Sequence, residues 1–189
     1  MVKAEDYYRY GVRVKGGKGI TLPDDIENSL DLVFGLEGER RRQFERAAAY
    51  FDQAETVWWD SNSLGYVALV TALESLMKKP ERCEVCRQPL AAAMERCTRC
   101  NQPRYRTTRQ FIEFLETYAP GIRDLAFEKD VLYGVRSDLA HGNDVMHADM
   151  MPLFLFSAQQ LRESRLHLML QRVAATAIVN WLRAQVSRI

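Results

Sequence analysis

The chain has 189 residues, of which 47% are hydrophobic and 27% are charged. This composition is typical of an ordinary globular domain and excludes disordered, collagen-like and membrane classes. Because the net charge is only +1, the whole surface has no general attraction for nucleic acid, and any such contact must be local.

The chain start carries no recognisable secretion signal, because a basic start, an apolar run and a small-residue cleavage site are all missing. No apolar run reaches the roughly 18 residues of a membrane helix. We therefore expect a soluble, cytoplasmic protein without a membrane partner. Disulfides are uncommon in that compartment, so its four cysteines become candidate metal ligands.

Residues 1–37 are predicted to form an N-terminal extension with a short strand and a short helix. Tyr8, Tyr10 and Val12 alternate with polar residues, which predicts the strand. Pro23 is typical of a helix start, and Gly35 of its end.

Residues 38–189 carry the three-to-four-residue apolar spacing of helices, which predicts an all-α helical bundle. The predicted helices span residues 39–59, 61–77, 107–118, 122–141 and 152–186. Three arginines at residues 40–42 lie at the start of the first of these helices and predict a face exposed to water there. The second helix is apolar nearly all round and should be the most buried. Its one charge, Glu74, either has a basic partner or sits at the helix edge in water.

An insertion at residues 78–109 interrupts the bundle and contains two C-x-x-C pairs, Cys83 with Cys86 and Cys97 with Cys100, separated by ten residues. Two such pairs can place four thiolates around one ion, which predicts a structural zinc site without an open position for catalysis. Iron in the same geometry, free thiols and disulfides are the alternatives.

The same insertion has nine basic residues against three acidic ones. Arg87, Arg99, Arg104 and Arg106, with a tyrosine among them, are candidate nucleic-acid contacts through phosphate binding and stacking. A solvated basic surface or a protein-docking surface explains the same pattern.

The segment after the insertion contains Arg136, Ser137, Asp138 and His141 near a predicted helix end at Gly142. Asp138 and Ser137 have the spacing to hydrogen-bond the imidazole and support acid–base chemistry. Arg136 and His141 are about 140° apart around an ideal helix, so they do not share a face. A histidine that merely stabilises the helix end is the structural alternative.

The apolar stretch ALESLM at residues 72–77, followed by Tyr133 and R-S-D-L-A-H-G at residues 136–142, resembles the HEPN superfamily, in particular its Apea-like branch. The resemblance covers roughly residues 39–186. It implies a four- or five-helix bundle that forms a homodimer in which the R-x4-H helices of two copies face each other.

For active members of that family, the resemblance implies metal-independent RNA cleavage by the arginine and the histidine, here Arg136 and His141, in defence or toxin systems with a possible antitoxin or enzyme partner. Asp138 would orient the histidine, and Glu74 would hold the arginine. Active members often carry Asn, Asp or His directly after the arginine, where this chain has Ser137. A non-catalytic scaffold or a nucleic-acid- or protein-binding module is therefore the alternative function.

Overall fold

The computed structural model describes residues 26–77, 85–88, 96–102, 107–120, 125–150 and 157–186. These residues form seven helices and no strand: α1 (Ile26–Phe34), α2 (Gly38–Val57), α3 (Asn62–Leu76), α4 (Thr107–Tyr118), α5 (Leu125–Ala140), α6 (His147–Met150) and α7 (Ala158–Val186). The predicted all-α bundle is confirmed. The predicted strand near residue 10 lies outside the described residues.

Helix α3 lies at the centre of the bundle and packs against α2, α5 and α7. Eight of its fifteen residues are buried, including Tyr66, Leu69 and Leu73. A helix that is apolar nearly all round has no face to offer to water, so burial between three neighbours is its stable position. The prediction of a deeply buried helix over residues 61–77 is confirmed.

Two side chains cap the N-terminus of α3. Ser61 accepts a hydrogen bond from the Leu64 backbone N–H (3.3 Å). Asp149 of the short helix α6 accepts bonds from the backbone N–H groups of Asn62 (2.6 Å) and Ser63 (2.9 Å), and from the Ser61 hydroxyl (3.1 Å). Burial alone would raise the pKa of Asp149, but hydrogen bonds led by those of Ser63 outweigh it and hold the pKa below its ordinary value.

Replacing Asp149 by alanine should destabilise the protein by about 1–2 kcal/mol at neutral pH, because two N-terminal amides of α3 lose their acceptor. Since the pKa of Asp149 is lowered in the folded state, its contribution is present above the ordinary value of 3.8 and disappears as the pH falls through the folded-state pKa. Urea unfolding of Asp149→Ala at neutral and acidic pH measures both effects. Asp31→Ala, at an exposed site on α1, is the control; an equal loss in both variants would contradict the capping role.

An aromatic contact joins Trp58, the residue that follows α2, to His167 of α7. The rings of Trp58 and His167 stack with their centroids 3.3 Å apart and an interplanar angle of 15°. Gly65 of α3 makes room for the indole, because a Cβ there would lie 3.1 Å from both the Trp58 Cα and the ring atom Cε3. His167 is buried, its Nδ1 has no hydrogen-bond partner, and burial lowers its pKa to about 4.

The buried imidazole of His167 predicts a pH dependence of stability. Between its ordinary pKa of 6.5 and the folded-state value of about 4, the unfolded chain binds the proton and the folded chain does not. The free energy of unfolding should therefore fall by about 3 kcal/mol as the pH drops through this window. His167→Phe, which keeps an aromatic ring against Trp58, should lose that component, whereas His147→Phe should keep it. The same pH profile in both variants would contradict the assignment.

Within the described parts of the chain, none of the helices combines the length and the apolar character needed to span a bilayer.

Candidate functional site

Helix α5 ends in a Schellman turn that places His141 at the helix C-cap. The Asn143 backbone N–H bonds to the Asp138 carbonyl (2.9 Å), and the Gly142 N–H bonds to the Leu139 carbonyl (3.3 Å). Gly142 adopts a φ of 69°, a left-handed conformation that favours glycine and ends the helix. The predicted helix end at this glycine is confirmed.

One turn earlier, Arg136 forms an ion pair with Glu74 of α3, with 2.9 Å between Nη2 and Oε2. The Tyr133 hydroxyl donates to the other carboxylate oxygen of Glu74, also at 2.9 Å. The Arg136 guanidinium carbon lies 5.7 Å from the centre of the Tyr133 ring, within range of a cation–π contact. Glu74 therefore has the basic partner that its place in an apolar helix demands.

The Glu74–Arg136 pair is partly open to solvent, since its side chains are 21% and 22% exposed. Toward the core, buried aromatic side chains of α3 and α4 support the α5 segment that carries Arg136. The Phe111 ring lies 5.1 Å from the Tyr133 ring, and the buried Tyr66 hydroxyl bonds to the Leu132 carbonyl (3.1 Å). Arg136 Nε is buried without a hydrogen-bond partner. The guanidinium is thus held in one orientation, with part of the group still reachable from outside.

The imidazole of His141 is exposed. No hydrogen bond joins it to the side chain of Asp138 or Ser137, all three residues being described, so the expected orienting contact is absent. The side chains of Asp138 and His141 are both exposed, so water can satisfy each of them without a mutual contact. Asp138 is itself exposed, and its carboxylate faces water rather than the histidine.

Three of the four cysteines lie together. The sulfur atoms of Cys86, Cys97 and Cys100 are all within 4.8 Å of one another, and those of Cys86 and Cys97 are 3.3 Å apart. All three are free thiols. Cys83 lies outside the described residues. The structure therefore brings one cysteine of the first pair to both cysteines of the second, as the spacing predicts.

The turns around these cysteines suit a metal. Arg87 and Asn101, which follow the second cysteine of each pair, both have positive φ, 58° and 54°. Two backbone hydrogen bonds hold the turn of the second cysteine pair. The Asn101 N–H donates to the Cys97 carbonyl (2.8 Å), and the Cys97 N–H donates to the Gln102 carbonyl (2.9 Å). Backbone N–H groups of Cys100 and Arg99 lower the pKa of Cys97 to about 6, which favours the thiolate that binds metals. These residues fit a soft divalent ion.

The basic residues of the insertion are only partly described. Arg87 and Arg99 are exposed beside the cysteine cluster, while Arg104 and Arg106 lie outside the described residues. Arg96 donates to the Asn101 carbonyl (3.1 Å) and so supports the second turn. Arg87, Arg96 and Arg99 therefore form a positively charged surface around the cysteines.

Two contacts at the site are not evident from the sequence. The Tyr133 hydroxyl bonds to Glu74, and the signal that could have indicated it is the three-residue spacing of Tyr133 and Arg136, which places both on one face of α5. The anchoring of residues 146–149 to the start of α3, through Asp149 and the Met146 N–H on the Ser63 hydroxyl (2.9 Å), follows from no local signal.

No protein-family model, curated protein or solved structure matches this chain.

Proposed function

We propose that the protein is an RNA endonuclease of HEPN type that acts as a homodimer, with Arg136 and His141 as the catalytic residues. The observation that carries the proposal is the Arg136 guanidinium, which Glu74 fixes at a partly exposed position five residues before an exposed histidine. A fixed cation and a free imidazole are the two groups that RNA cleavage at a phosphodiester uses.

The proposed reaction is attack of a ribose 2′-hydroxyl on the adjacent phosphorus. The P–O2′ bond forms and the P–O5′ bond breaks, so the products end in a 2′,3′-cyclic phosphate and a 5′-hydroxyl. A His141 imidazole takes the 2′ proton or supplies the proton that the leaving 5′ oxygen gains. Arg136 neutralises the charge that develops on the non-bridging oxygens. This scheme needs no metal at the phosphate.

Helix geometry favours two copies at one site. Arg136 and His141 are separated by about 7.5 Å along the axis of α5 and about 140° around it. One chain therefore directs the two groups to different sides. A two-fold pairing of α5 helices would combine the arginine of one copy with the histidine of the other around one phosphate. A role in defence or as a toxin, with an antitoxin or enzyme partner, follows from the resemblance alone.

We also propose that Cys83, Cys86, Cys97 and Cys100 hold a structural zinc ion. Zinc bound by four thiolates has no free coordination position and would stabilise the insertion. The exposed Arg87 and Arg99 beside the cluster, with Arg104 and Arg106, would then form a basic surface that guides RNA by phosphate contacts.

The test is cleavage of a 5′-labelled single-stranded RNA by the purified chain in the presence of a chelator, with the product ends identified by mass spectrometry. We expect cyclic phosphate and 5′-hydroxyl ends, and loss of cleavage in Arg136→Ala. An intact RNA across a range of sequences would contradict the proposal.

A non-catalytic scaffold is the second candidate, and two observations favour it. Glu74 and Tyr133 already engage Arg136, and neither Asp138 nor Ser137 orients His141. In this case Arg136→Ala should unfold or dissociate the protein, because Glu74 would lose its cationic partner beside the core. A folded, dimeric Arg136→Ala without cleavage would support the enzyme instead. Unfolding curves and light scattering separate the two.

A further inference from the structure

The helical bundle has a pocket that is lined by none of the residues of the proposed reaction. It has a volume of about 450 Å³ and is formed by the start of α2, the end of α3, helix α4 and the end of α7. This volume is within the range of small-molecule sites. We call it the α2–α4 pocket.

Aromatic rings and glutamine amides line the pocket. Phe114, Tyr118 and Trp181 supply ring surfaces, and Gln43 and Gln185 reach it from α2 and α7. Gln185 is 5% exposed and donates through Nε2 to the Trp181 carbonyl (2.8 Å). Its carbonyl oxygen has no hydrogen-bond partner within the described chain, and the same holds for the Gln43 side chain. Apolar ring atoms beside unengaged amide groups suit a heterocycle with donors and acceptors on its edge.

The charge at the pocket favours an anionic ligand. Arg41 and Arg42 form ion pairs with glutamates of their own helix at 2.9 Å, on the solvated face that the sequence analysis predicts. Arg40 instead lines the pocket and has no ion-pair or hydrogen-bond partner among the described residues. Glu113, the acidic residue of the lining, is already paired with Arg109 at 2.8 Å. The unbalanced charge is therefore one guanidinium, a group that binds phosphate.

The pocket is near the residues that hold Arg136. Met77 lines it and directly follows α3, three residues beyond Glu74. Phe114 lines it and is one turn beyond Phe111, whose ring contacts Tyr133. About one turn of helix therefore separates a ligand in the pocket from Glu74 and from the residue that contacts Tyr133.

We propose that the α2–α4 pocket binds one nucleotide, with its base against the aromatic rings and glutamine amides and its phosphate at Arg40. A free mononucleotide and a nucleotide within an RNA strand have the same chemistry. In the second case the inference rests on the proposed function, and the pocket would read one base near the cleaved linkage.

The experiment is isothermal titration of the full chain carrying His141→Ala with AMP, GMP, CMP and UMP, and with the four nucleosides. We expect at least one mononucleotide to bind with a dissociation constant of about 1 mM or less. Arg40→Gln should weaken that nucleotide about tenfold, through loss of a charge-assisted hydrogen bond, and leave its nucleoside unchanged. Arg41→Gln on the same helix is the matched control and should have no effect.

Gln43→Leu should weaken the nucleotide and its nucleoside together, since it removes a contact to the base edge, whereas Gln53→Leu on exposed α2 surface should not. Absence of binding by all four mononucleotides, or equal effects of Arg40→Gln and Arg41→Gln, would overturn the inference. A six-nucleotide single-stranded RNA distinguishes the sources. Tighter binding than the mononucleotide, weakened by Arg40→Gln, assigns the pocket to RNA, and equal binding assigns it to free nucleotides.

This design separates the two proposals. Mononucleotide binding without RNA cleavage by the unmutated chain would contradict the nuclease and support the pocket. RNA cleavage without any mononucleotide binding would contradict the pocket and support the nuclease.

Discussion

Replacing His141 by alanine is expected to reduce RNA cleavage by about a thousandfold while leaving the fold intact. General acid–base groups contribute about 10²–10⁴-fold to enzymatic rates, and the exposed imidazole is the group of the R-x4-H motif whose ordinary pKa lies nearest neutral pH. The side chain makes no hydrogen bond to the residues around it on α5, so its removal leaves no buried group unpaired. Single-turnover cleavage rates of a labelled RNA measure the effect.

His147→Ala is the matched control, because this half-buried histidine lies six residues further along and has no part in the proposed reaction. Its cleavage rate should stay within about twofold of the unmutated chain. Thermal unfolding and light scattering on both variants establish that each keeps the fold and the oligomeric state of the unmutated chain. A His141→Ala protein that cleaves RNA at the unmutated rate would remove the histidine from the mechanism, and with it the nuclease proposal.

Removal of the proposed zinc ion is expected to unfold the cysteine insertion and leave the helical bundle folded. In the described part of the insertion, the buried cluster consists of Cys97 with Cys86 and Cys100 packed against it, and of no other apolar side chain. Such a segment has little hydrophobic stabilisation of its own, whereas zinc binding contributes about 10–16 kcal/mol in zinc-finger peptides. The amides of residues 96–102 should therefore lose their protection from hydrogen exchange when a strong chelator removes the ion.

Metal analysis of the purified protein tests the ligands directly. We expect one zinc ion per chain in the unmutated protein and almost none in Cys97→Ser, whereas Thr98→Ser in the same turn should retain the ion. Far-UV circular dichroism should be nearly unchanged in Cys97→Ser, because the helices of the bundle do not depend on the insertion. An unchanged zinc content in Cys97→Ser would contradict the site, and iron in place of zinc would be recognised by its colour.

The longer helices could be predicted because their signals are local. The helix at residues 107–118 has an apolar stripe that includes Phe111 and Leu115 and is followed by Pro120, and the structure has the same bounds. Helix α6 could not be predicted in this way. Its four residues contain no periodic pattern, and its place in the fold depends on Asp149 capping a helix that lies more than 80 residues earlier.

The candidate site likewise has one contact that the sequence could predict and one that it could not. A basic partner for Glu74 was one of two expectations, and it is found because the carboxylate is mostly buried and needs compensation there. The hydrogen bond between Asp138 and His141 that helical spacing allows is not formed, because both side chains are exposed and water satisfies them. Spacing shows which side chains can reach each other, and solvent exposure decides whether they need to.

Helix α3 also restricts how the chain can change its length. At the N-terminal end of α3, Asp149 accepts hydrogen bonds from the first amides of the helix. At the C-terminal end, Glu74 forms the ion pair with Arg136. Residues 141–146 connect the segment of Arg136 to the segment of Asp149. Inserting a single residue between Gly65 and Leu73 would turn one end by about 100° against the other and lengthen the helix by about 1.5 Å. The Asp149 cap and the Glu74–Arg136 ion pair could then not form at the same time. Natural insertions and deletions should therefore occur in the cysteine insertion rather than in this helix.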